Sequence, residues 1–230
     1  MDVSRPSRSI AWLGLAGMML LAVFELTGLD LVIVRAFWDP VLGIFPLRGD
    51  PLLSALLYRG TKSAMYALGV VALVILAVAY RRTRDADKRG AYVVAGLTLL
   101  LMPLLVVLLK HMTNRYCPWA LEGFGGEVPY TTLLQALPPP WVRGECFPAG
   151  HAAGGFVWVG VAVALWRQQP WIARGLLAFG TVAGGAMGLF RMAEGAHFLS
   201  HTLWTLWLAC FVPLAISGLQ KLLRHKSRSG

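Results

Sequence analysis

Charged residues are scarce in this 230-residue chain. Aspartate, glutamate, lysine and arginine together supply 14% of the residues, whereas 57% are hydrophobic, and the mean hydropathy is +0.63. A soluble domain of this size rarely has so apolar a composition. The sequence also lacks repeats of useful length, low-complexity linkers and any stretch with a soluble composition. These absences argue against a soluble enzyme and predict one membrane-embedded domain over residues 1–230.

Long apolar runs account for this composition. A helix needs about 20 mostly apolar residues to cross the hydrocarbon core of a bilayer, and about six segments qualify. Backbone groups in lipid must be satisfied within each segment, which favours helices over strands. The predicted spans are 10–29, 61–80, 91–110, 151–166, 173–190 and 198–219. We therefore expect an all-α integral membrane bundle of about six transmembrane helices.

Basic residues gather in four places outside these spans. They are Arg5 and Arg8; Arg81, Arg82, Arg84, Lys88 and Arg89; Arg167 and Arg174; and Lys221, Arg224, Lys226 and Arg228. All four clusters fall on the same side, and short cytoplasmic loops carry the excess of lysine and arginine. Both termini are therefore predicted to be cytoplasmic, with 110–150 and 191–200 on the opposite face. Topology explains most of the net charge of +10. A nucleic-acid partner is not expected, since no basic soluble face with interleaved aromatics is evident.

Two stretches near the N-terminus need their own interpretation. Basic residues precede the first apolar run, as in a signal peptide, but Glu25 follows without a small-residue cleavage site. We therefore expect a retained anchor. Between the first two spans, residues 38–58 mix apolar residues with proline, aspartate and arginine. This segment is predicted to lie along the outer interface as a short amphipathic piece.

Small residues indicate where helices touch. Gly180, Gly184 and Gly188 recur at every fourth position and predict a helix face that a neighbouring backbone approaches closely. That neighbour can belong to the same chain or to a second copy, so the oligomeric state stays open.

Only three cysteines are present. Cys117 and Cys146 bracket the loop between the third and fourth spans, on the face opposite the basic clusters. In a bacterial inner membrane that face meets the oxidising periplasm. A disulfide there would close a loop of about 30 residues and contribute about 3 kcal/mol, and two unpaired thiols are the alternative. Cys210 falls inside the sixth span and is expected in the core.

Cationic and imidazole side chains end several spans on that same face. They are Lys110, Arg115, His151, Arg191 and His197. Charged groups at such positions are costly in lipid and usually serve a site or a pairing. Cations that converge without matching carboxylates suit a phosphate. Gly150, directly before His151, leaves free backbone N–H groups at a helix start, which also favour an anion. For each cation alone, snorkelling to the interface is the alternative.

The order of these residues resembles the signature of the type 2 phosphatidic acid phosphatase superfamily over about residues 110–201. That signature has three motifs: lysine, six residues, arginine, proline; then Pro-Ser-Gly-His; then Ser-Arg, five residues, His, three residues, Asp. The matching residues are Lys110, Pro118, Pro148, Gly150, His151, Arg191 and His197. Four positions depart from it: Cys117 replaces the arginine, Ala149 and Phe190 replace the serines, and His201 replaces the aspartate.

The resemblance implies a role for each matched residue. His197 would attack phosphorus and form a phosphohistidine, and His151 would protonate the leaving oxygen. Lys110 and Arg191 would hold the phosphate oxygens. The family needs no metal, so no cofactor is expected.

Two of the departures call for replacement residues. Arg115 is predicted to take over from the missing arginine in phosphate binding, with Arg143 in reserve. A neutral His201 can accept the proton of the nucleophile's other ring nitrogen, as aspartate does, but it supplies no negative charge, which predicts slower turnover. If the stretch before His197 is helical, Glu194 lies on the same face and supplies the missing carboxylate. Pairing of Glu194 with the third-motif arginine is the alternative.

A metal site is a competing interpretation of two of these histidines. His197 and His201 have the i, i+4 spacing of helical zinc sites. His111 and His151 are the available third ligands, and no carboxylate is placed with them.

The resulting expectation is an integral membrane lipid phosphatase with its site on the periplasmic face of a bacterial inner membrane. Its substrate would be an amphiphile with a phosphate monoester or diphosphate. By resemblance the candidates are undecaprenyl diphosphate, phosphatidylglycerophosphate, phosphatidic acid and the phosphates of lipid A. A lipid-to-lipid phosphotransferase and a non-catalytic relative that binds lipid phosphates are the alternatives.

Overall fold

The computed structural model describes residues 6–136 and 138–229, and helices dominate them. The seven helices described are α1 Pro6–Thr27, α2 Leu29–Val34, α3 Pro51–Arg82, α4 Ala86–Met112, α5 Gly150–Leu165, α6 Pro170–Ala193 and α7 Leu199–Ser229. Five of these, all except α2 and α5, are long and apolar enough to cross a membrane. No β-strand occurs in the described ranges. The predicted all-α membrane bundle is confirmed.

Helix α5 is short and lies inside the bundle. It has 16 residues, about 24 Å of helix, which is less than the hydrocarbon core of a bilayer. Twelve of those residues are buried, on every side of the helix. A helix that is apolar all round belongs in a core, and α5 packs against α4, α6 and α7. Its neighbours, rather than lipid, therefore surround it.

The expectation for residues 38–58 is wrong in its second half. Residues 51–58 are the first turns of α3, which is π-helical over Ser54–Gly60. Asp50 caps this helix, because its Oδ1 accepts the N–H groups of Leu52 and Leu53, both at 2.9 Å. Pro51 then occupies the first helical position. The pair Asp50-Pro51 is a helix-start signal that the sequence carries.

The small-residue face of α6 packs as predicted, within the same chain. A Cβ atom at Gly184 would overlap the Phe156 ring of α5, and one at Gly188 would lie 2.5 Å from Cγ2 of Thr202 in α7. From the opposite side, a Cβ at Gly155 would overlap the backbone of Gly184. The backbones of α5 and α6 are therefore in direct contact.

The connection between α4 and α5 covers one end of the bundle. Its residues Leu121, Phe124 and Val128 pack with Val34, Phe45 and Phe198 in a second apolar cluster. A disulfide joins Cys117 and Cys146, 29 residues apart. Cys210, inside α7, is free and half-buried.

The basic clusters meet at the other end of the bundle. Arg224 of α7 lies 3.8 Å from Asp87 at the start of α4, and its guanidinium donates to the Ala86 carbonyl at 3.5 Å. Arg5 lies outside the described residues, as do the side chains of Arg8 and Arg228. The end of α4, the start of α5, the end of α6 and the start of α7 therefore share the face opposite these clusters.

The contact between α5 and α6 gives a stability prediction. Gly184→Ala must displace the Phe156 ring, and overpacking of this kind costs about 1–3 kcal/mol. Gly185→Ala is the matched control, since a Cβ there meets nothing within 4 Å. In detergent, Gly184→Ala should lower the Tm while Gly185→Ala should not. Equal Tm values for the two variants would contradict the close contact.

The disulfide gives a second stability prediction. Without reductant, a thiol-alkylating reagent should label one cysteine of the unfolded protein, Cys210, and after reduction it should label three. Closure of a loop of this length contributes about 3–4 kcal/mol, so Cys117→Ala should lower the Tm and Cys210→Ala should lower it less. Three labelled thiols without reductant would rule the bridge out.

Candidate active site

A cavity of about 480 Å³ opens between α3, α4 and α5 at the covered end of the bundle. Its polar end is formed by Lys110, Gly150, His151, Arg191 and His197. The rest of its wall is mostly apolar and is made by residues that include Met65, Val70, Leu73, Leu99, Leu100, Pro103, Val106, Val107 and Val157. Five of the predicted site residues, from four separate segments of the chain, therefore share one space that continues into an apolar groove.

Lys110 lies over the first turn of α5. A Cβ atom at Gly150 would be 3.1 Å from Cε and 3.5 Å from Nζ of Lys110, so glycine leaves the room that the lysine occupies. The first N–H groups of a helix have no partner within the helix, and they carry its positive dipole end. The charge of Lys110 and the N–H groups at the start of α5 therefore favour binding of an anion at the same place.

Arg191 reaches the cavity from the last turn of α6. Its Nη1 forms an ion pair with Oε2 of Glu194. Its guanidinium lies above the Tyr58 ring, 4.7 Å from the ring centroid, and 5.7 Å from that of Trp119. Its buried Nε has no hydrogen-bond partner within the part of the chain described. The ion pair therefore uses Nη1 and leaves the buried Nε unpaired.

Residues of α3 contact the side chain of His151 and hold it in place. Its Nε2 lies 3.1 Å from the Leu57 carbonyl oxygen and 3.2 Å from Oγ1 of Thr61. Tyr58 stacks on its ring, with centroids 4.9 Å apart and planes at 29°. The Nδ1 atom has no partner among the described residues. Because a carbonyl only accepts, Nε2 carries the proton in the neutral ring and Nδ1 has the free lone pair.

His197 is buried, with 4% of its surface exposed. Its Nδ1 lies 3.4 Å from Nδ1 of His201 and 3.7 Å from Sγ of Cys146. Burial, followed by the positive charges of Lys110 and Arg191, holds the pKa of His197 well below its ordinary value. The ring is therefore neutral at neutral pH. Since Nδ1 is engaged by His201, Nε2 is the nitrogen left for the cavity.

Sequence reasoning missed two residues at the polar end. Tyr58 and Lys62 line the same cavity, and both belong to α3. The ammonium of Lys62 is flanked by the rings of Tyr58 and Tyr66, at 5.9 Å and 6.0 Å. It forms no ion pair within the described residues. No signature motif reaches α3, so the basic residue at the start of that span was the available signal.

Arg115 does not line the cavity, contrary to prediction. Its buried guanidinium lies 3.8 Å from Oδ2 of Asp30 and 5.1 Å from the Tyr130 ring centroid. Asp30 in turn accepts hydrogen bonds from the N–H and hydroxyl of Ser200, at the start of α7. Burial raises the pKa of the Asp30 carboxyl, against the hydrogen bonds of Ser200 and the charge of Arg115. Arg115 thus serves a structural network, and Arg143, the reserve candidate, is solvent-exposed and also away from the cavity.

Glu194 does not take the place of the missing aspartate. The prediction required a helical stretch up to His197, but α6 ends at Ala193 and Gly195 turns the chain with φ of 69°. The Glu194 carboxylate instead pairs with Arg191, which was the alternative. His201 is therefore the side chain that contacts Nδ1 of the predicted nucleophile.

The structure groups a different set of possible metal ligands from the predicted one. Within the described residues, the close group is Cys146, His197 and His201, whose ligand atoms lie within 4.8 Å of one another. The Cys146 sulfur is bonded to Cys117, so it is not a thiolate. His111 is exposed and pairs with Glu145 at 3.0 Å. Neither His111 nor His151 joins the pair as a third ligand.

Comparisons with known proteins show the family and the fold of this chain. The family model of the PAP2 superfamily matches residues 91–223, which is more than half of the chain. The fold is similar to the crystal structure of a transmembrane PAP2-type phosphatidylglycerolphosphate phosphatase from Bacillus subtilis. The TM-score is 0.52 at 17% identity, over 92% of this chain and 95% of that one. No curated protein sequence matches significantly. On the family match, this chain belongs to the PAP2 superfamily.

Proposed function

We propose that this protein is a membrane lipid phosphatase that cleaves a phosphate monoester or diphosphate through a phosphohistidine. The observation that carries the proposal is the shape of one cavity. Its polar end holds three cations and two histidines, and the same cavity continues as an apolar groove between α3 and α4. A phosphate head with an apolar tail matches both halves.

The groove supports a lipid rather than a soluble phosphate ester. Along α4 it runs from Lys110 to Leu99, which is about 16 Å of helix. Helix α3, the opposite wall, buries none of its most apolar 18 residues within the protein. That wall therefore adjoins the bilayer, and a lipid tail lying in the groove keeps its phosphate level with His197.

The hydrogen bonds of the two buried histidines support His197 as the nucleophile. A neutral His197 presents a lone pair at Nε2 only if its Nδ1 carries the proton and donates it to Nδ1 of His201, at 3.4 Å. Attack by Nε2 forms the N–P bond while the bond from phosphorus to the lipid oxygen breaks. The leaving oxygen takes a proton from the imidazolium form of His151, and the neutral ring then accepts one from the water that hydrolyses the phosphohistidine.

The cations would stabilise charge on the phosphoryl oxygens. Lys110, Arg191 and the N–H groups that open α5 converge on the polar end, where preformed donors are most effective. We assign to Lys62 the third positive charge, in place of the arginine that the signature has at position 117. His201 supplies no negative charge behind the nucleophile, so we expect turnover slower than in a relative with aspartate there.

The distribution of charge supports an outward-facing site. The basic connections gather at the opposite end of the bundle, and lysine and arginine favour the cytoplasmic side. We therefore place the site on the periplasmic face of a bacterial inner membrane. A disulfide beside the nucleophile fits that oxidising compartment.

The substrate candidates remain those implied by the family. Phosphatidylglycerolphosphate, which the structurally similar phosphatase acts on by name, stands beside undecaprenyl diphosphate, phosphatidic acid and the phosphates of lipid A. Transfer to a second lipid instead of water would pass through the same phosphohistidine, so a phosphotransferase is the second candidate. A relative that binds lipid phosphate without cleaving it is the third.

Phosphate release from this lipid panel tests the proposal. The detergent-purified protein should release phosphate from at least one lipid, and release should persist with a chelator because no step uses a metal. His197→Ala should abolish it, and His151→Ala should lower kcat by about 100-fold or more, the usual contribution of a general acid.

Three outcomes separate the candidates. Release that stops with the chelator would contradict the metal-independent mechanism. No release by wild type, together with transfer of phosphate to an added acceptor lipid, would identify the phosphotransferase. Wild type that binds a lipid phosphate and neither releases nor transfers phosphate would be the non-catalytic relative.

The roles of Lys62 and Arg115 can be separated by substitution. Lys62→Gln removes a charge from the cavity and should raise KM about tenfold, which corresponds to about 1.4 kcal/mol of binding. Its Tm should stay near that of wild type, since the side chain is exposed. Arg115→Met should instead lower the Tm, because Asp30 loses its buried partner, and should leave KM unchanged. A raised KM in Arg115→Met would restore the sequence-based assignment.

A further inference from the structure

The first turns of α3 contact two of the site residues, although they lie outside the region matched by the family model. We propose that Thr61 and Tyr58 are positioning residues: Thr61, together with the Leu57 carbonyl, fixes which nitrogen of His151 delivers the proton, and Tyr58 fixes the distance between His151 and Arg191. This inference rests on the proposed phosphatase function.

The π-helical turn supplies a free carbonyl at the right place. In a regular α-helix the N–H of Thr61 would bond to the carbonyl of Leu57. Here it bonds to the carbonyls of Leu56 and Tyr58, and Leu57 is passed over. The Leu57 oxygen instead accepts from Nε2 of His151 at 3.1 Å and from the Thr61 hydroxyl at 2.6 Å. The irregular turn therefore leaves the Leu57 carbonyl free at the point where His151 of α5 donates to it.

The Thr61 hydroxyl completes this arrangement. Its own proton is committed to the Leu57 carbonyl, so its lone pairs are left to accept from Nε2 of His151 at 3.2 Å. Two acceptors then face Nε2, and none of the described residues pairs with Nδ1. Nε2 keeps its proton throughout the reaction. The proton given to the leaving oxygen must therefore be a second one, which Nδ1 takes up from solvent to form the imidazolium, and the ring returns to the Nε2–H form when it gives that proton away.

Tyr58 separates His151 from Arg191. Its ring stacks on the imidazole with centroids 4.9 Å apart. The guanidinium of Arg191 also lies over the ring, 4.7 Å from the ring centroid. Stacking uses the faces of the ring, so the phenol hydroxyl takes no part in either contact. One rigid side chain thus spaces the proton donor from the phosphate clamp. A flexible aliphatic residue would leave both free to shift.

Two substitutions test the role of the Thr61 hydroxyl. Thr61→Val removes the hydroxyl and keeps the shape, whereas Thr61→Ser keeps the hydroxyl. Thr61→Val should lower kcat about tenfold, a fraction of what general acid catalysis contributes, with KM unchanged and the pH profile of kcat displaced. Thr61→Ser should restore most of kcat. A Val variant with wild-type kcat and pH profile, or a Ser variant no better than Val, would overturn the assignment.

Tyr58 is tested by keeping or removing its ring. Tyr58→Phe keeps the ring and should restore most of the kcat and KM that Tyr58→Leu loses. Tyr58→Leu should lower kcat and raise KM, each several-fold, since both neighbours lose their support. Tyr80→Leu is the matched control, because Tyr80 lies at the other end of α3, beside Arg89, and should change neither constant. Equal effects of Tyr58→Leu and Tyr80→Leu would reduce the role of Tyr58 to helix stability.

A measurement without turnover separates this inference from the phosphatase function. With ¹⁵N-labelled histidine, and His151→Gln to assign the signal, NMR should report the Nε2–H tautomer for wild type and Thr61→Ser and a mixture for Thr61→Val. This pattern in a protein that cleaves no lipid would reject the function and keep the positioning. The same tautomer in all three proteins would reject the positioning even if the enzyme is active.

Discussion

The backbone contact between α5 and α6 is the constraint on which the site depends. Gly155 faces the backbone of Gly184, and the Phe156 ring fills the space that a side chain at 184 would take. This contact sets the two helices so that the start of α5 and the end of α6 meet at one face. His151 and Arg191 come from those two ends. A larger residue in the contact would therefore separate the predicted proton donor from the phosphate clamp as well as weaken the bundle.

The site has more positive than negative charge, and this excess favours binding of an anion. Arg191 pairs with Glu194, but Lys110 and Lys62 form no ion pair within the described residues. Unpaired cations beside apolar helices are costly, and an anion at the polar end of the cavity would relieve that cost. Burial, followed by the positive charges of Lys110 and Arg191, lowers the pKa of His197 and keeps its ring neutral. In the proposed mechanism, a positive site thus attracts the phosphate and preserves the lone pair of His197 that attacks it.

The sequence predicted the parts of the molecule that follow from local pattern. Apolar length gave the spans, and motif spacing gave Lys110, Gly150, His151, Arg191 and His197, all of which line the cavity. It misassigned Arg115 because two residues of separation from position 117 say nothing about which way an irregular loop points the side chain. It missed Thr61 and Tyr58 because a π-helical turn and the rotation of α3 depend on tertiary contacts. The prediction for Glu194 was wrong for a local reason: the chain turns at Gly195, so the stretch before His197 is not helical.

The departures from the family signature make physical sense as a set. Replacing arginine by Cys117 removes one positive charge, and replacing aspartate by His201 removes one negative charge, so the net charge around the predicted nucleophile is unchanged while His201 is neutral. The replaced positions also bring new atoms beside His197: Sγ of Cys146, bonded to Cys117, lies 3.7 Å from its Nδ1, and Nδ1 of His201 lies 3.4 Å from it. Restoring the aspartate alone would add a buried negative charge without the arginine that accompanies it in the family. The positions therefore act as a pair, and an exchange of one of them should cost more stability than an exchange of both.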